Sequence, residues 1–340
     1  MITEHCYKSI LPMQYVLKYL CLSLAFLLPL TTHADFTGEV FFTKLVTKQE
    51  ERKIFSEIWT TDIENAKSAH LLYRDEYEIH DYAIQKNGPL LVISAGPLTS
   101  DIFLLNRFQL GAGVSNLTKA KFGATAGVDI SPNGDVLFSN SIVLFHEIPP
   151  IEGLYLIPNE ELRKANPNVT LLKQGSIGYI QWSPDGHRFI YRTDKGLFLY
   201  KRFTREDSLI TKDRLYPAFS PDGKKLAFIY QPILEPGVKI DVISLETLHP
   251  QIFPKDHEDH LRLSGLKWPK EKYFVYSVYD KQIKKTQHFV IRIDGGPPVQ
   301  ILKDVEDMFE NGIRSFVLGN TTFAVEPMNR LTTLWGKLKQ

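Results

Sequence analysis

Short apolar runs separated by polar turn residues make up most of this chain. From residue 35 onward the runs are five to nine residues long and rich in β-branched and aromatic residues, as in KLAFIY, YFVYS and GEVFFTKLV. Helical spacing of apolar residues occurs only locally, in IPNEELRKA at 157–165. The pattern predicts an all-β protein built from many short antiparallel strands.

One phrase recurs along the chain, consisting of a large apolar residue, a Ser-Pro-Asp-Gly corner and an apolar run. QWSPDGHRFIY and AFSPDGKKLAFIY are full copies, while DISPNGDVLFS and LKWPKEKYFVY are partial ones. Their prolines stand at positions 132, 184, 221 and 269, so the spacings are 52, 37 and 48 residues. Repeats of this length that contain four short strands favour the blades of a β-propeller.

Each residue type in the corner suits a tight turn between two antiparallel strands. Proline has the φ angle that position i+1 of the turn needs, aspartate suits i+2, and glycine accepts the positive φ that follows. The aromatic before the corner is predicted to fill the space between neighbouring blades. The predicted structural positions are Trp182, Pro184, Asp185, Gly186, Phe219, Pro221, Asp222, Gly223 and Trp268.

These residues resemble the WD-like repeat of TolB-type β-propellers, in which Phe/Trp-Ser-Pro-Asp-Gly is the hallmark corner. The resemblance covers roughly 35–327, is strongest over 127–248, and concerns the propeller only. It implies an exported ring that binds a protein or peptide of the cell envelope at the mouth of its central channel.

Counting units predicts a six-bladed β-propeller over 35–330, followed by a tail at 331–340. Five full blades begin near residues 80, 126, 178, 216 and 264, and three strands precede them. IRSFVLGNTTFAVEP near the carboxy terminus has the character of the missing strand, so the two ends of the chain would share a blade and close the ring. Seven blades of about 44 residues remain the alternative.

The first 34 residues are predicted to be a signal peptide, with cleavage after Ala34. Lysines at 8 and 18 precede the twelve-residue apolar run 19–30, which is short of the ~20 residues that a transmembrane helix needs. We therefore expect a periplasmic or secreted protein without stable membrane insertion, and Met13 is an alternative start. Both cysteines lie in this leader, so the mature chain would have no disulfide.

Charge and motifs exclude several kinds of partner and site. Forty basic and thirty-nine acidic residues give a net charge of +1, which argues against a nucleic-acid partner. No G-x-S-x-G motif of an α/β-hydrolase occurs, and no cofactor is predicted. DHEDH at 256–260 makes His257 and His260 a weak metal candidate, but such a run is more typical of a solvated acidic loop, so no metal is expected.

Aligning the corners predicts that His80, Asp81, Tyr179 and Tyr216 lie near the channel entrance. They could form a polar, aromatic pocket for a peptide or sugar, although such tyrosines more often cover the core. The favoured function is ligand binding without catalysis, with a protein or peptide partner in the envelope. The alternatives are a propeller lyase or hydrolase acting on a carbohydrate or lactone, and a module that docks onto a separate enzyme.

Overall fold

The computed structural model describes residues 36–323 apart from 49–52, 64, 98, 111–112, 142–150, 213, 231–238, 247–249, 254–260, 295–297, 304–312 and 314. The predicted leader, the tail at 331–340, and His257 and His260 lie outside the described residues. Regular structure in the described part is almost entirely β, with a 3-10 turn at Asn159–Glu161. No helix in this part is both long enough and apolar enough to cross a membrane.

Twenty-four strands form six four-stranded antiparallel sheets. Blade 1 contains β1 (Phe36–Lys48), β2 (Lys53–Asp62), β3 (Asn65–Asp75) and β24 (Ser315–Phe323). Blade 2 contains β4 (Ile79–Ile84), β5 (Leu90–Ala95), β6 (Asp101–Asn106) and β7 (Val114–Asn116). Blade 3 contains β8 (Ala124–Ile130), β9 (Val136–Ser141), β10 (Gly153–Ile157) and β11 (Thr170–Gln174).

The second half of the chain repeats this arrangement. Blade 4 contains β12 (Tyr179–Trp182), β13 (Arg188–Thr193), β14 (Gly196–Lys201) and β15 (Glu206–Thr211). Blade 5 contains β16 (Leu215–Phe219), β17 (Lys225–Tyr230), β18 (Lys239–Ser244) and β19 (Pro250–Phe253). Blade 6 contains β20 (Leu261–Lys270), β21 (Tyr273–Asp280), β22 (Lys285–Arg292) and β23 (Val299–Ile301). The prediction of a six-bladed propeller is confirmed, and the seven-bladed alternative is excluded.

Blade 1 closes the ring because it takes strands from both ends of the described chain. The strand order is β24-β1-β2-β3, and β24 pairs antiparallel with β1 through partners such as Phe41 and Val317. The closing strand therefore occupies the innermost position, which the first strand occupies in every other blade. The predicted closure by terminal strands that share a blade is confirmed.

The hydrophobic core lies between blades, in layers that each take side chains from two neighbouring sheets. Trp182 at the end of β12 packs with Leu137 and Leu154 of blade 3, and its ring contacts Phe189 at 5.1 Å between centroids. Phe219 belongs to the layer between blades 4 and 5, and Trp268 to the layer between blades 5 and 6. The aromatic before each of these corners thus faces the preceding blade, where burial of its large apolar surface stabilises the stack.

The corners of blades 4 and 5 each form the same pattern of hydrogen bonds. The hydroxyl of Ser183 and the amide of His187 both donate to Asp185 Oδ1, and the amide of Gly186 donates to the carbonyl of Ser183 at 2.9 Å. Ser220, Asp222 and Gly223 form the same bonds in the next blade. The glycines have φ of 69° and 71°, a region where a Cβ is strained. The repeated corner is therefore an architectural unit.

Charged side chains are also buried within the ring, each with partners. Glu57 on β2 is buried and accepts hydrogen bonds from Trp59 Nε1 at 2.7 Å and Arg74 Nε at 2.8 Å, and Lys44 Nζ lies 3.4 Å from it. Buried Asp135 of blade 3 pairs with Arg202 of blade 4. Such groups tolerate burial because hydrogen bonds and opposite charges replace their water.

Candidate functional site at the mouth of the channel

The first strands of blades 2 to 6, together with β24, surround the central channel. They all start at the same face of the ring, because each follows the outermost strand of the preceding blade. We call this face the mouth, and the Ser-Pro-Asp-Gly corners lie at the opposite face. Convergence of six strands on one axis brings together side chains that are far apart in sequence.

A cavity of about 210 Å³ is lined by the inner strands of blades 5, 6 and 1, by the second and third strands of blade 6, and by Tyr179 of blade 4. Its walls combine polar and apolar side chains. The residues that line it are Tyr179, Tyr216, Pro217, Gly265, Leu266, Lys267, Ser277, Thr286, His288, Ser315 and Phe316.

Tyr216 stands in this cavity in an unusual backbone conformation. Its φ is 50°, and the pairing of β16 with β17 shifts register between Leu215 and Ala218. The irregularity re-aims the tyrosine, whose side chain is 41% exposed although it lies on an innermost strand. A left-handed conformation at a residue other than glycine costs about 1–2 kcal/mol, and such strain clusters at binding sites.

Two aspartates deeper in the channel tie neighbouring inner strands together. Asp81 accepts the amide of Tyr82 at 2.9 Å and, across the blade boundary, the amide of Val128 at 3.0 Å. Asp129 repeats this one blade further on, accepting the amides of Ile130 at 2.8 Å and Trp182 at 2.5 Å. All four carboxylate oxygens are thus held by backbone N–H groups, which fixes both side chains in place.

Burial changes the proton affinity of these carboxyl groups. Loss of water raises the pKa of Asp81 to about 6, although the amides of Val128 and Tyr82 and the charge of Lys267 oppose the shift. Burial raises the pKa of Asp129 to about 7, and the negative charge of Asp81 adds to that rise. Both side chains remain partly accessible to solvent. Because burial raises their pKa values, the channel holds two carboxyl groups that titrate near neutral pH.

Lys267 and His288 are the basic groups of the cavity. Burial lowers the pKa of Lys267, while the charges of Asp81 and Asp129 oppose that effect and favour the ammonium form. Burial lowers the pKa of His288 to about 4, so this imidazole is neutral at physiological pH. Its Nδ1 lies 2.9 Å from Ser277 Oγ.

The structure brings together part of the set that the sequence predicts for the channel entrance. Tyr179 and Tyr216 both line the cavity, and the hydroxyl of Tyr179 donates to the carbonyl of Pro217 at 3.0 Å. Burial is the main cause of the raised pKa of the Tyr179 phenol. The negative charges of Asp129 and Asp81 nearby raise it further. His80 is exposed, is not among the residues that line the cavity, and its Nε2 lies 3.1 Å from the carbonyl of Gly96.

Sequence reasoning missed Asp129, Lys267 and His288. A signal for two of them exists, because Asp129 and Lys267 each stand one residue before the large apolar residue of a corner, as Gln181 does. Side chains alternate along a strand, so this position faces away from the layer that the apolar residue enters. His288 lies on the third strand of its blade, where no repeated motif marks it.

Within the described part of the chain, no group of three or more His, Cys, Asp or Glu side chains is arranged to hold a metal ion. The aspartates of the channel are two in number, and Lys267 lies near them. The polar groups that the cavity wall offers are hydroxyl groups, one amino group and one imidazole, beside aromatic rings.

No family model and no curated protein matches this chain. Among solved structures it is similar to oligogalacturonate lyase in complex with manganese, at a TM-score of 0.53 and 10% identity over 78% of this chain and 85% of that one. Hydrazine synthase of Kuenenia stuttgartiensis gives a TM-score of 0.56 and 11% identity over 78% and 47%. Dipeptidyl peptidase 4 of Porphyromonas gingivalis gives 0.43 and 12% over 66% and 40%.

The chain thus spans less than half the length of the peptidase and of hydrazine synthase. At identities of 10% and 11%, the likenesses to oligogalacturonate lyase and hydrazine synthase show the propeller fold alone.

Proposed function

We propose that this protein is a binding propeller that holds a peptide segment of a partner protein at the mouth of its channel. The observation that carries the proposal is the exposed, strained Tyr216 beside a cavity of about 210 Å³. Strain at an exposed aromatic adds nothing to packing, so a ligand contact is the physical reason that best accounts for it.

The size of the cavity supports a peptide segment over a large ligand. At about 210 Å³ it is smaller than the roughly 300–1,000 Å³ of pockets for drug-sized molecules. One side chain or chain end fits it, while the rest of a partner would lie on the mouth. Tyr77, Ile151, Tyr279 and Ile283 are exposed at connections on this same face. Exposed apolar side chains around a polar cavity are typical of a protein interface.

A displayed peptide library selected on the mature protein tests this proposal. The dissociation constants of selected peptides are measured by fluorescence anisotropy for the wild type, for Tyr216→Asn, and for Phe203→Asn as the matched control. Asparagine tolerates a positive φ, so Tyr216→Asn removes the ring without adding strain. Phe203 is 76% exposed on the turn between β14 and β15 at the opposite face. We expect at least tenfold weaker binding for Tyr216→Asn only, and equal affinities for all three proteins would contradict the proposal.

A propeller lyase or hydrolase is the second candidate, because a carboxyl group that titrates near neutral pH suits general acid or base catalysis. Asp129, with a pKa raised by burial to about 7, and the nearby Tyr179 are the residues that would act. Incubation with a panel of oligosaccharides and lactones tests this function. Turnover that Asp129→Asn abolishes would favour the enzyme over the binding protein.

Export is part of the proposal and rests on the leader-like residues 1–34 and the resemblance to TolB-type propellers. The partner would then be a protein or peptide of the cell envelope. Amino-terminal sequencing of the protein from cell fractions tests export. A periplasmic or secreted form that begins at Asp35 is the expected result, and an intact Met1 or Met13 in the cytoplasm would contradict it.

A further inference from the structure

We propose that the cavity binds a carboxylate of the partner peptide, with the Lys267 ammonium as its counter-ion. This inference rests on the proposed function and specifies the chemistry of its ligand. The carboxylate is either a free chain terminus or an acidic side chain, since both present the same group to the site.

The charge of the cavity wall is the first argument. Lys267 is the charged member of the lining set, and the other polar members are hydroxyl groups and the neutral imidazole of His288. The two carboxylates of the channel, Asp81 and Asp129, are not among the lining residues. A group that enters the cavity therefore meets one ammonium together with the hydroxyl groups of Tyr216 and Thr286, which is a set that suits an anion.

The donors of Lys267 are the second argument. Among the residues that the structure describes, its ammonium makes no hydrogen bond and no ion pair within 4 Å. Asp81 and Asp129 act on it through their charges at longer range, and their oxygens accept from the amides of Tyr82, Val128, Ile130 and Trp182. The aspartates thus favour the charged form of Lys267 and leave its three N–H donors available.

Hydroxyl groups can complete the coordination of a bound carboxylate. Tyr216 and Thr286 lie in the wall with Lys267, and Ser315 lies opposite with its Oγ 2.7 Å from Thr43 Oγ1. A carboxylate has four lone-pair positions, so an ammonium and two or three hydroxyl groups satisfy it. Burial in a partly dry cavity strengthens such charge-assisted hydrogen bonds.

A bound anion also changes protonation in the channel, so the number of protons taken up or released on binding can be measured as a test. The titratable groups around Lys267 are Asp81 and Asp129, whose charges act on it, and Tyr179, Tyr216 and His288, which line the same cavity. A negative ligand raises the proton affinity of Asp129, whose pKa burial already raises to about 7. Binding of a carboxylate is therefore accompanied by proton uptake and tightens as the pH falls from about 8 to about 6. A cationic ligand would show the opposite dependence.

The test compares each selected peptide with its own uncharged analogues. Every peptide is prepared with a free carboxyl terminus and as the carboxamide, and with each Glu or Asp replaced by Gln or Asn. Isothermal titration in buffers of different ionisation enthalpy gives both the dissociation constant and the number of protons taken up. We expect neutralisation of one carboxylate to weaken binding at least tenfold, and the analogue that does so identifies its source.

Lys267→Met, Lys267→Arg and the control Lys195→Met complete the design. Lys195 is exposed on the turn between β13 and β14 at the mouth face, outside the set that lines the cavity. Lys267→Met should abolish the preference for the charged peptide, while Lys267→Arg and Lys195→Met retain it. If Lys267→Met does not fold, proton uptake or release by the wild type on peptide binding still shows whether the bound group is an anion or a cation.

The outcomes separate this inference from the function on which it rests. Equal binding of charged and neutral peptides, still lost in Tyr216→Asn, would overturn the carboxylate and leave the binding function intact. Proton release on binding would likewise overturn it in favour of a cationic ligand. Absence of any peptide that depends on Tyr216 would overturn both.

Discussion

An Asp129→Asn substitution is expected to remove one large contribution to the pH dependence of folding stability between pH 5 and pH 8. Burial raises the pKa of Asp129 from 3.8 to about 7, so the folded state holds its proton more tightly than the unfolded state does. The stability that this proton affinity contributes is fully present below about pH 3.8 and is lost as the pH rises through 7. Treated as an independent group, Asp129 lowers the free energy of unfolding by roughly 2–3 kcal/mol from pH 5 to pH 8.

That magnitude is an upper limit, because Asp129 keeps partial access to channel water. Asp81, with a pKa raised by burial to about 6, contributes at most about 1 kcal/mol of the same sign over this range. In asparagine an NH2 group replaces one of the two oxygens that accept from Ile130 and Trp182, so one of these amides would face a donor and the variant should also be less stable at pH 5 by about 1–3 kcal/mol.

Urea unfolding at pH 5, 6, 7 and 8 measures both effects. Asp129 and Asp81 make stability fall as the pH rises, whereas His288, whose pKa burial lowers to about 4, makes it rise over the same range. The effect of Asp129 is therefore read from the difference between the two proteins: the stability of the wild type relative to the variant should fall with rising pH. Asp194→Asn, at an exposed residue of the turn between β13 and β14, is the matched control and should retain the wild-type slope. A difference in stability between wild type and variant that stays constant or grows with rising pH would contradict the raised pKa of Asp129.

Three further predictions concern the ring itself. Gly186→Ala should lower the free energy of unfolding by about 1–2 kcal/mol, because the φ of this residue is 69°. Gly178→Ala is the control and should change that free energy little, since a Cβ there meets nothing within 4 Å. Thermal unfolding of the two variants checks this. Trp182→Ala should cost about 3–5 kcal/mol through the cavity that it leaves between blades 3 and 4. Trp182→Phe should cost much less in the same assay, because the buried indole N–H has no hydrogen-bond acceptor among the described residues, and equal costs would contradict this. The pKa of Glu57 lies below its usual 4.5, because its hydrogen bonds and the cations beside it outweigh the opposing effect of burial. The stability that Glu57 contributes is therefore lost as the pH falls below about 4.5. Glu57→Gln should therefore reduce stability at pH 7 more than at pH 3, and an equal reduction at both would argue against the ion pairs.

The fold is readable from the sequence because its determinants are local. The corner at Asp185 and Gly186 specifies a turn within a few residues, and repetition of the turn specifies the blade. Even closure of the ring followed from counting, since three strands at one end needed the strand that β24 supplies. Local turn chemistry and strand alternation thus determine most of the architecture.

The site is less readable because it depends on contacts between distant parts of the chain. The effect of Lys267 on Asp81 and Asp129 arises only when the inner strands of blades 2, 3 and 6 meet around the channel. The positive φ of Tyr216 follows from a register shift against β17, which no residue type announces. Position relative to the corner predicted that Tyr179 and Tyr216 lie near the entrance. The contacts that these residues make could not be predicted, because they involve strands that are distant in sequence.

The repeat itself explains why the polar residues of the channel differ from blade to blade. In each corner the large apolar residue enters the layer between two blades, and the residue before it faces the other way. Packing restricts the first position to residues such as Trp182, Phe219 and Trp268, whereas the second position carries Asp129, Gln181, Ala218 and Lys267 in successive blades. The second position has no such common requirement: Asp129 ties β8 to the next blade, Ala218 packs in the layer between blades 5 and 6, and Lys267 lies near the aspartates of the channel. The charge around the channel therefore varies from blade to blade while the packing between blades is preserved.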